Sequence, residues 1–435
     1  MKKVLIAILI SVFLLGLVSC SVPKQQGSET AADNSLQDTV PDTSSPGIVP
    51  SANPAAFRED FDNRFGRGYQ TIIETDEAYY FCAFCGPYVY YYDKAGDVFG
   101  VLCSKPECMH DAKEAGNNNC GGTVNSHAKS LFLSGGRLYF VSSAKTPDFF
   151  GPALYSMKPD GTGREMVMKL DFGETQDLCW PQRYDLHRGK LYGFIDYEKV
   201  EAGEPMLCLE IVSLDPASGD YRTICKKDNC WVIPQMFYLD DYVYFSVPDY
   251  DSETKTLEHE IFRWDIVSEE LETVYSSGGP AAYSGIADMW VESDGSIFLI
   301  SSINDESQTA ELMLISNGEL RVISEYSDSG IAHFIGGGTV NLNSSEKELI
   351  VTDLNGSELK RIGFELELPD DPNYTVDASR SAVDIYGDTD ELLVVYSNLK
   401  FSHSDGKMSS GSCLVLYDLT EETPTAQLLA ISPWH

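Results

Sequence analysis

The sequence has little positive charge. Its 435 residues include 31 Lys and Arg against 67 Asp and Glu, which gives a formal net charge of −36 at pH 7. A protein this acidic repels the phosphate backbone of DNA and RNA. We therefore expect no nucleic-acid partner.

The sequence also lacks the short motifs of several large enzyme classes. It contains no H-E-x-x-H zinc-protease motif, no G-x-S-x-G nucleophile elbow, no Walker loop and no dinucleotide-binding fingerprint. Acidic residues are so frequent that no pair of carboxylates stands out as a general acid and base. These absences favour a binding role over catalysis.

The first 20 residues are typical of a bacterial leader. Residues 1–19 begin with two Lys, continue with an apolar run that is short for a bilayer span, and end in small residues before Cys20. Leu17-Val18-Ser19-Cys20 resembles the lipobox of bacterial lipoproteins, which implies cleavage before Cys20 and lipidation of its thiol. An ordinary secretory signal with an incidental Cys20 is the alternative. We expect a lipid anchor that holds the protein on the extracytoplasmic face of the cell membrane.

The composition changes near residue 57. Residues 20–56 are rich in Ser, Thr, Pro, Ala, Gly and Asp and show no apolar periodicity, so they are interpreted as a flexible linker after the lipidated Cys20. From Phe57 to His435 the chain is rich in aromatic and β-branched residues. This part is the predicted folded domain.

Short strand-like runs recur through residues 57–435, and no segment longer than ten residues has helical periodicity. A turn residue ends the strand that follows each run, and this series has seven members, spaced about 54 residues apart on average: Asp93, Asp160, Asp215, Asp265, Asn317, Asn355 and Asp418. The pattern predicts an all-β fold, a single β-propeller of about seven four-stranded blades. The unit around Ile335–Leu366 is short, so six or eight blades are also considered.

One stretch carries a family resemblance. Leu154-Tyr155-Ser156-Met157-Lys158-Pro159-Asp160-Gly161-Thr162-Gly163, preceded by Gly136-Arg137-Leu138-Tyr139-Phe140, resembles the repeat of TolB-like and low-density-lipoprotein-receptor-like propellers. With its lipobox, linker and early Cys-rich block, the whole chain resembles surface lipoproteins of clostridial-type bacteria. The resemblance implies a propeller fold and not an activity.

Three cysteines and one histidine lie close together in the chain. Cys103, Cys108, His110 and Cys120 are the ligand set of a Cys3His tetrahedral zinc site, although the spacing matches no standard zinc finger. Ligands two residues apart, such as Cys108 and His110, are geometrically awkward. A disulfide among the three cysteines is the competing interpretation, because an extracytoplasmic location permits it. The residues leave a structural zinc, a disulfide and free thiols open.

Three tryptophans and two glutamines form the second candidate site. Trp180 and Trp231 occupy equivalent positions 51 residues apart, followed by Gln182 and Gln235 in matching Pro-Gln pairs, and Trp290 lies in the following unit. Indole rings near the mouth of the central channel would stack on sugar rings or grip a peptide. The alternative is that the indoles pack between blades.

These observations predict a membrane-anchored, extracytoplasmic binding propeller with a glycan or peptide ligand. The long connections on one face and the tight turns on the other place the expected site on the loop-bearing face. Two alternatives remain, an extracytoplasmic hydrolase or lyase acting on a polysaccharide or peptide, and a scaffold for an envelope complex.

Overall fold

A computed structural model describes most of the chain after residue 71. The described residues are 72–82, 87–110, 120–124, 130–146, 149–170, 183–201, 204–228, 230, 234–251, 256–277, 285–301, 309–327, 329–343, 347–363, 368, 370–378 and 382–433. The predicted leader, Cys20 and the predicted linker lie outside them. Every element within these ranges is a β-strand.

The first four sheets are each built from four consecutive strands. Blade 1 contains β1 (Ile72–Glu74), β2 (Ala78–Cys82), β3 (Val89–Asp93) and β4 (Val98–Val101). Blade 2 contains β5 (Leu131–Ser134), β6 (Arg137–Thr146), β7 (Phe149–Met157) and β8 (Glu165–Lys169). Blade 3 contains β9 (Arg183–His187), β10 (Lys190–Glu201), β11 (Glu204–Leu214) and β12 (Tyr221–Asp228). Blade 4 contains β13 (Met236–Leu239), β14 (Tyr242–Asp251), β15 (Thr256–Asp265) and β16 (Leu271–Ser276).

The remaining three sheets follow the same order, with one extra strand in the last. Blade 5 contains β17 (Ile286–Val291), β18 (Ile297–Ser301), β19 (Thr309–Ser316) and β20 (Glu319–Ser327). Blade 6 contains β21 (Ser329–Ile335), β22 (Gly338–Asn343), β23 (Glu348–Asp353) and β24 (Glu358–Gly363). The extra strand is β25 (Tyr374–Asp377), which pairs with the far end of β27. Blade 7 contains β26 (Ala382–Gly387), β27 (Glu391–His403), β28 (Met408–Asp418) and β29 (Thr425–Pro433).

The seven sheets confirm the predicted all-β propeller and its blade number. The short unit predicted around Ile335–Leu366 falls within blade 6, which is complete. The seven turn residues lie where the third strand of each blade turns into the fourth. At most of these turns an Asp carboxylate accepts the amide of the residue two positions on, as Asp265 does from Val267 at 2.8 Å.

The two faces of each blade are buried against different neighbours. On β2, Tyr79 and Phe81 pack in a cluster with Tyr386 and Leu393 of blade 7. The alternate residues Ala78, Tyr80 and Cys82 pack in another cluster, with Leu131, Leu138 and Phe140 of blade 2. Successive side chains of a strand point to opposite faces of the sheet. Because both faces of a blade pack against neighbouring blades, such a strand is apolar at nearly every position.

The ring closes by side-chain contact. All seven blades are made of strands that are consecutive in the chain, so blade 1 and blade 7 share no strand within the described residues. Apart from the shared apolar cluster, the Tyr79 hydroxyl of blade 1 donates a hydrogen bond to Glu391 Oε1 of blade 7 at 2.5 Å. Packing of blade 7 on blade 1 therefore completes the propeller.

The outer edge of six blades carries the same irregularity. The fourth strand of blades 2 to 7 has a β-bulge, and in each case the residue left out of the register is apolar: Val167, Ile224, Val274, Ile323, Leu359 and Leu429. All but Leu359 pack against a cluster shared with the next blade. A bulge increases the local twist and changes the direction of a side chain. Here the redirected side chain packs against the next blade. In blade 1, β4 pairs with β3 without a bulge.

Candidate metal centre

The four predicted metal ligands come together in the structure. Cys103 Sγ, Cys108 Sγ, Cys120 Sγ and one ring nitrogen of His110 all lie within 4.8 Å of one another. His110 Nδ1 is 3.6 Å from Cys120 Sγ. Cys120 is buried, and the other three side chains are partly exposed. The cluster follows β4, in the connection from blade 1 to blade 2.

A tight turn and one residue in the left-handed backbone conformation bring Cys103, Cys108 and His110 close together. The Cys108 amide donates to the Lys105 carbonyl at 3.1 Å, which closes the turn between Cys103 and Cys108. His110 has a φ of +51°, a conformation that costs a non-glycine residue energy and is found at functional sites. The buried Tyr88 hydroxyl donates to the His110 carbonyl and holds this turn in place. The close spacing of Cys108 and His110 is therefore compatible with a shared ligand set.

The fourth ligand begins a segment that returns to blade 1. Residues 120–124 run beside the start of β3, where Val89 donates to the Gly122 carbonyl at 2.8 Å and Val124 donates to the Pro87 carbonyl at 2.7 Å. Gly122 lies so close to the sheet that a Cβ atom there would be 2.8 Å from the Leu102 carbonyl oxygen. Only glycine permits this approach.

Backbone amides surround the sulfurs. The Gly121 amide donates to Cys103 Sγ at 3.3 Å. Burial opposes ionisation of Cys103, but hydrogen bonds from the Lys105 and Gly121 amides and from the other two thiols outweigh it, so its pKa is lowered. Burial raises the pKa of Cys120 to about 12.

Blade 2 contributes two residues that contact this cluster. The guanidinium of Arg164 donates to the carbonyls of Gly121 at 2.9 Å and Thr123 at 2.6 Å, and it stacks over the rings of Phe140 and Tyr155. Gly161 lies against the backbone of Cys103 and Ser104, because a Cβ there would be 3.1 Å from the Ser104 nitrogen. The cluster is thus held between blades 1 and 2.

The geometry suits a tetrahedral ion. With bonds of about 2.3 Å to sulfur and about 2.0 Å to nitrogen, two ligands of a tetrahedral zinc lie about 3.5 Å apart, which is close to the His110–Cys120 distance. Cys103, Cys108 and Cys120 are free thiols in the structure. Four protein ligands leave no position for water or substrate, so such a site is structural rather than catalytic.

The second set of predicted residues is only partly described. Trp180 and Gln182, between β8 and β9, and Trp231, between β12 and β13, lie outside the described residues. Gln235 is half-buried, and its main chain exchanges two hydrogen bonds with Ser246.

Trp290 belongs to β17, the innermost strand of blade 5. It is 7% exposed, and its ring packs between Phe237 of blade 4 and Phe334 of blade 6. Its indole N–H donates to Glu292 at 2.7 Å. Trp290 therefore packs between blades, which is the alternative that the sequence left open.

Sequence reasoning missed the residues that connect the cluster to blade 2. Gly161 and Arg164 lie in the stretch used for the family resemblance, where they follow the turn residue Asp160. An arginine after a Gly-rich turn gives no signal of a contact with carbonyls some 40 residues earlier. Gly121-Gly122 directly after Cys120 was the available signal, because paired glycines often mark a close backbone approach.

Within the described residues, no helix has the length and apolar character needed to cross a bilayer.

Comparison with known proteins gives structural matches only. No protein-family model and no curated protein matches the chain. Among solved structures, the β-propeller domain of the trilobed protease from Pyrococcus furiosus is 11% identical, with 83% of this chain and 96% of that chain covered and a TM-score of 0.43. A polysaccharide lyase is 10% identical, with 86% and 96% covered and a TM-score of 0.44.

A prolyl endopeptidase is 12% identical, with 81% of this chain covered and a TM-score of 0.43, and the chain spans about half the length of that enzyme (47%). At these identities the matches assign neither a family nor an activity to this chain.

Proposed function

We propose that this chain is a lipid-anchored binding protein on the extracytoplasmic face of the cell membrane, where its propeller recognises a glycan or a peptide. The observation that carries the proposal is the set of long hairpins that extend from one face of the propeller. The leader and Cys20 supply the anchor in this proposal, and residues 20–56 supply the reach. The resemblance to clostridial surface lipoproteins supports the same location.

The second and third strands of several blades continue past the innermost strand. In blade 3, β9 pairs only with Lys190–Phe194, whereas β10 and β11 stay paired as far as Glu201 and Glu204. Blades 2, 4 and 7 have similarly long hairpins, with nine, ten and ten paired positions. In blades 1 and 5 the corresponding ladders have five and four. Antiparallel order places all these hairpin tips at one end of the propeller, where the innermost strands begin.

The hairpin of blade 3 is braced by a polar network. Glu210 accepts hydrogen bonds from Tyr197 at 2.7 Å, Lys226 at 2.7 Å and Thr223 at 3.1 Å. Burial alone would raise the pKa of Glu210, but these three donors lower it, so the carboxylate stays ionised. Rigid walls around a mouth reduce the entropy that is lost when a ligand binds. Trp180 and Trp231, which precede β9 and β13 in the sequence, are the proposed ligand contacts, with Gln182.

Replacing Cys20 tests the anchor. We expect Cys20→Ser to move the protein from the membrane fraction to the soluble fraction and to abolish incorporation of labelled palmitate, because the thiol is the acceptor of the lipid. Fractionation of cells that express either form measures this, with Cys225→Ser as a control that keeps the anchor. Membrane retention of Cys20→Ser at the wild-type level would contradict the proposed anchor.

A binding screen tests the ligand class. We expect residues 57–435 to be retained by members of a glycan array or a peptide library, and Trp180→Ala with Trp231→Ala to lose about tenfold or more in affinity. Val267→Ala, an exposed change on a turn at the opposite face, is the matched control.

Two other results of the screen would contradict the binding proposal. Retention of neither class would favour the envelope scaffold, and cleavage of a retained glycan or peptide would favour the hydrolase or lyase.

A further inference from the structure

We propose that Cys103, Cys108, His110 and Cys120 bind one zinc ion, and that this ion fastens blade 1 to blade 2. The inference rests on the geometry of the cluster and does not depend on the lipid anchor or on the ligand of the propeller.

The donor set selects the metal. Three thiolates and one imidazole are soft or borderline ligands in a tetrahedral arrangement, which suits zinc and excludes calcium and magnesium, since those ions require oxygen ligands. The Gly121 amide, which donates to Cys103 Sγ at 3.3 Å, orients the sulfur, as outer-shell hydrogen bonds do at metal sites. Arg164 adds a positive charge beside Gly121, next to a site whose three thiolates exceed the charge of one Zn²⁺.

Blade 1 needs additional support at its outer edge. Its strands are the shortest set in the ring, with three residues in β1 and four in β4. The other six blades place an apolar bulge residue on the fourth strand, but β4 has none. Residues 102–110 continue from β4, and residues 120–124 run beside the start of β3.

Zinc would join the two ends of this connection. Cys103 lies two residues after the end of β4, and Cys120 begins the segment that pairs with the start of β3, so one ion bonded to both closes the outer end of blade 1. Blade 2 contacts both ends, Gly161 against Cys103 and Arg164 on the carbonyls of Gly121 and Thr123. The metal centre thus fastens blade 1 to the next blade, as the bulge residues of blades 2 to 5 and 7 do.

Metal content tests the assignment. The chain from residue 20, carrying Cys20→Ser and purified under reducing conditions with zinc in the medium, should contain one zinc per chain by elemental analysis. Cys103→Ser and His110→Ala should each lower this to about one-tenth or less, and Cys225→Ser, outside the cluster, should leave it at one. Zinc absent from the wild type, or retained by both ligand variants, would overturn the proposal.

Two measurements keep the test decisive if a ligand variant fails to fold. Chelator-treated wild type should take up one Co²⁺ with the absorption spectrum of tetrahedral thiolate coordination, and added Zn²⁺ should displace it. Mass spectrometry of the same protein should show three reduced thiols in the cluster. A disulfide among Cys103, Cys108 and Cys120, with no metal bound, would overturn the zinc site.

Hydrogen exchange tests the clamp. Removal of zinc should speed amide exchange about tenfold or more in β2, β3 and residues 120–124, with little change in β14 and β15 of blade 4, because the released connection belongs to blade 1. Equal changes in both blades, or no change in blade 1, would overturn the clamp.

Discussion

Gly387→Ala should lower the free energy of unfolding by about 4 kcal/mol or more. Gly387 ends β26 with a φ of +121°, and a Cβ atom there would lie 2.0 Å from the Glu391 carbonyl oxygen. The backbone cannot move aside, because the Gly387 carbonyl accepts the Gly336 amide of blade 6 at 2.9 Å and Leu392 opposite it is fully buried. The substitution therefore breaks either the hairpin of blade 7 or its junction with blade 6.

Denaturant unfolding of the purified chain measures this loss, and Gly363→Ala provides the matched control. Gly363 ends β24 in an ordinary backbone conformation, and among the described residues no atom outside its chain neighbours lies within 4 Å of the position that an alanine methyl group would take there. We therefore expect a change within about 0.5 kcal/mol. Equal midpoints for the two variants would show that the close approach at Gly387 is not needed.

Arg164→Ala should cost about 3 kcal/mol of unfolding free energy. The side chain makes two hydrogen bonds, to the Gly121 and Thr123 carbonyls, and both are charge-assisted. Burial lowers the pKa of Arg164, but the guanidinium stays charged and stacks on Phe140 and Tyr155. Removing it leaves two carbonyls without this donor and separates the blade 1 connection from blade 2.

The control is Arg361, an arginine with ion pairs at the surface. Arg361 contacts Glu348 and Glu358, and its side chain is 42% exposed. Surface pairs contribute little, so Arg361→Ala should shift the unfolding midpoint much less than Arg164→Ala. The reverse order would contradict the role given to Arg164. Both variants are compared in metal-loaded protein, so that loss of zinc is measured separately.

Much of the fold could be predicted because it is local. Side chains along each strand alternate between its two faces, and an Asp or Asn turn follows the third strand of each blade. These seven turns therefore predict about seven blades. The bulges were not predicted. A bulge adds one residue to a strand without changing its composition, so Val274 and Ile323 look like ordinary strand residues until the register is known.

One candidate site could be predicted from the sequence, and part of the other could not. The four ligands Cys103, Cys108, His110 and Cys120 lie within 18 residues, so sequence spacing could propose them together. Trp290 could not be assigned from the sequence, since a strand residue can face either the channel or the next blade. Its contacts with Phe237 of blade 4 and Phe334 of blade 6 are visible only in the packed structure.

The sequence by itself determined the class of fold, a blade number of about seven, the low positive charge that disfavours nucleic acid, and the candidate ligands. Only the tertiary structure decided that the ligand cluster lies between two blades, that Gly161 and Arg164 hold it there, and that Trp290 packs between blades. The physical reason is the separation along the chain of the residues that interact. The alternation of side chains along a strand and the chemistry of a turn involve only a few neighbouring residues, so they can be recognised in the sequence. Contacts between blades join segments 40 or more residues apart, and they depend on how each twisted sheet packs against the next.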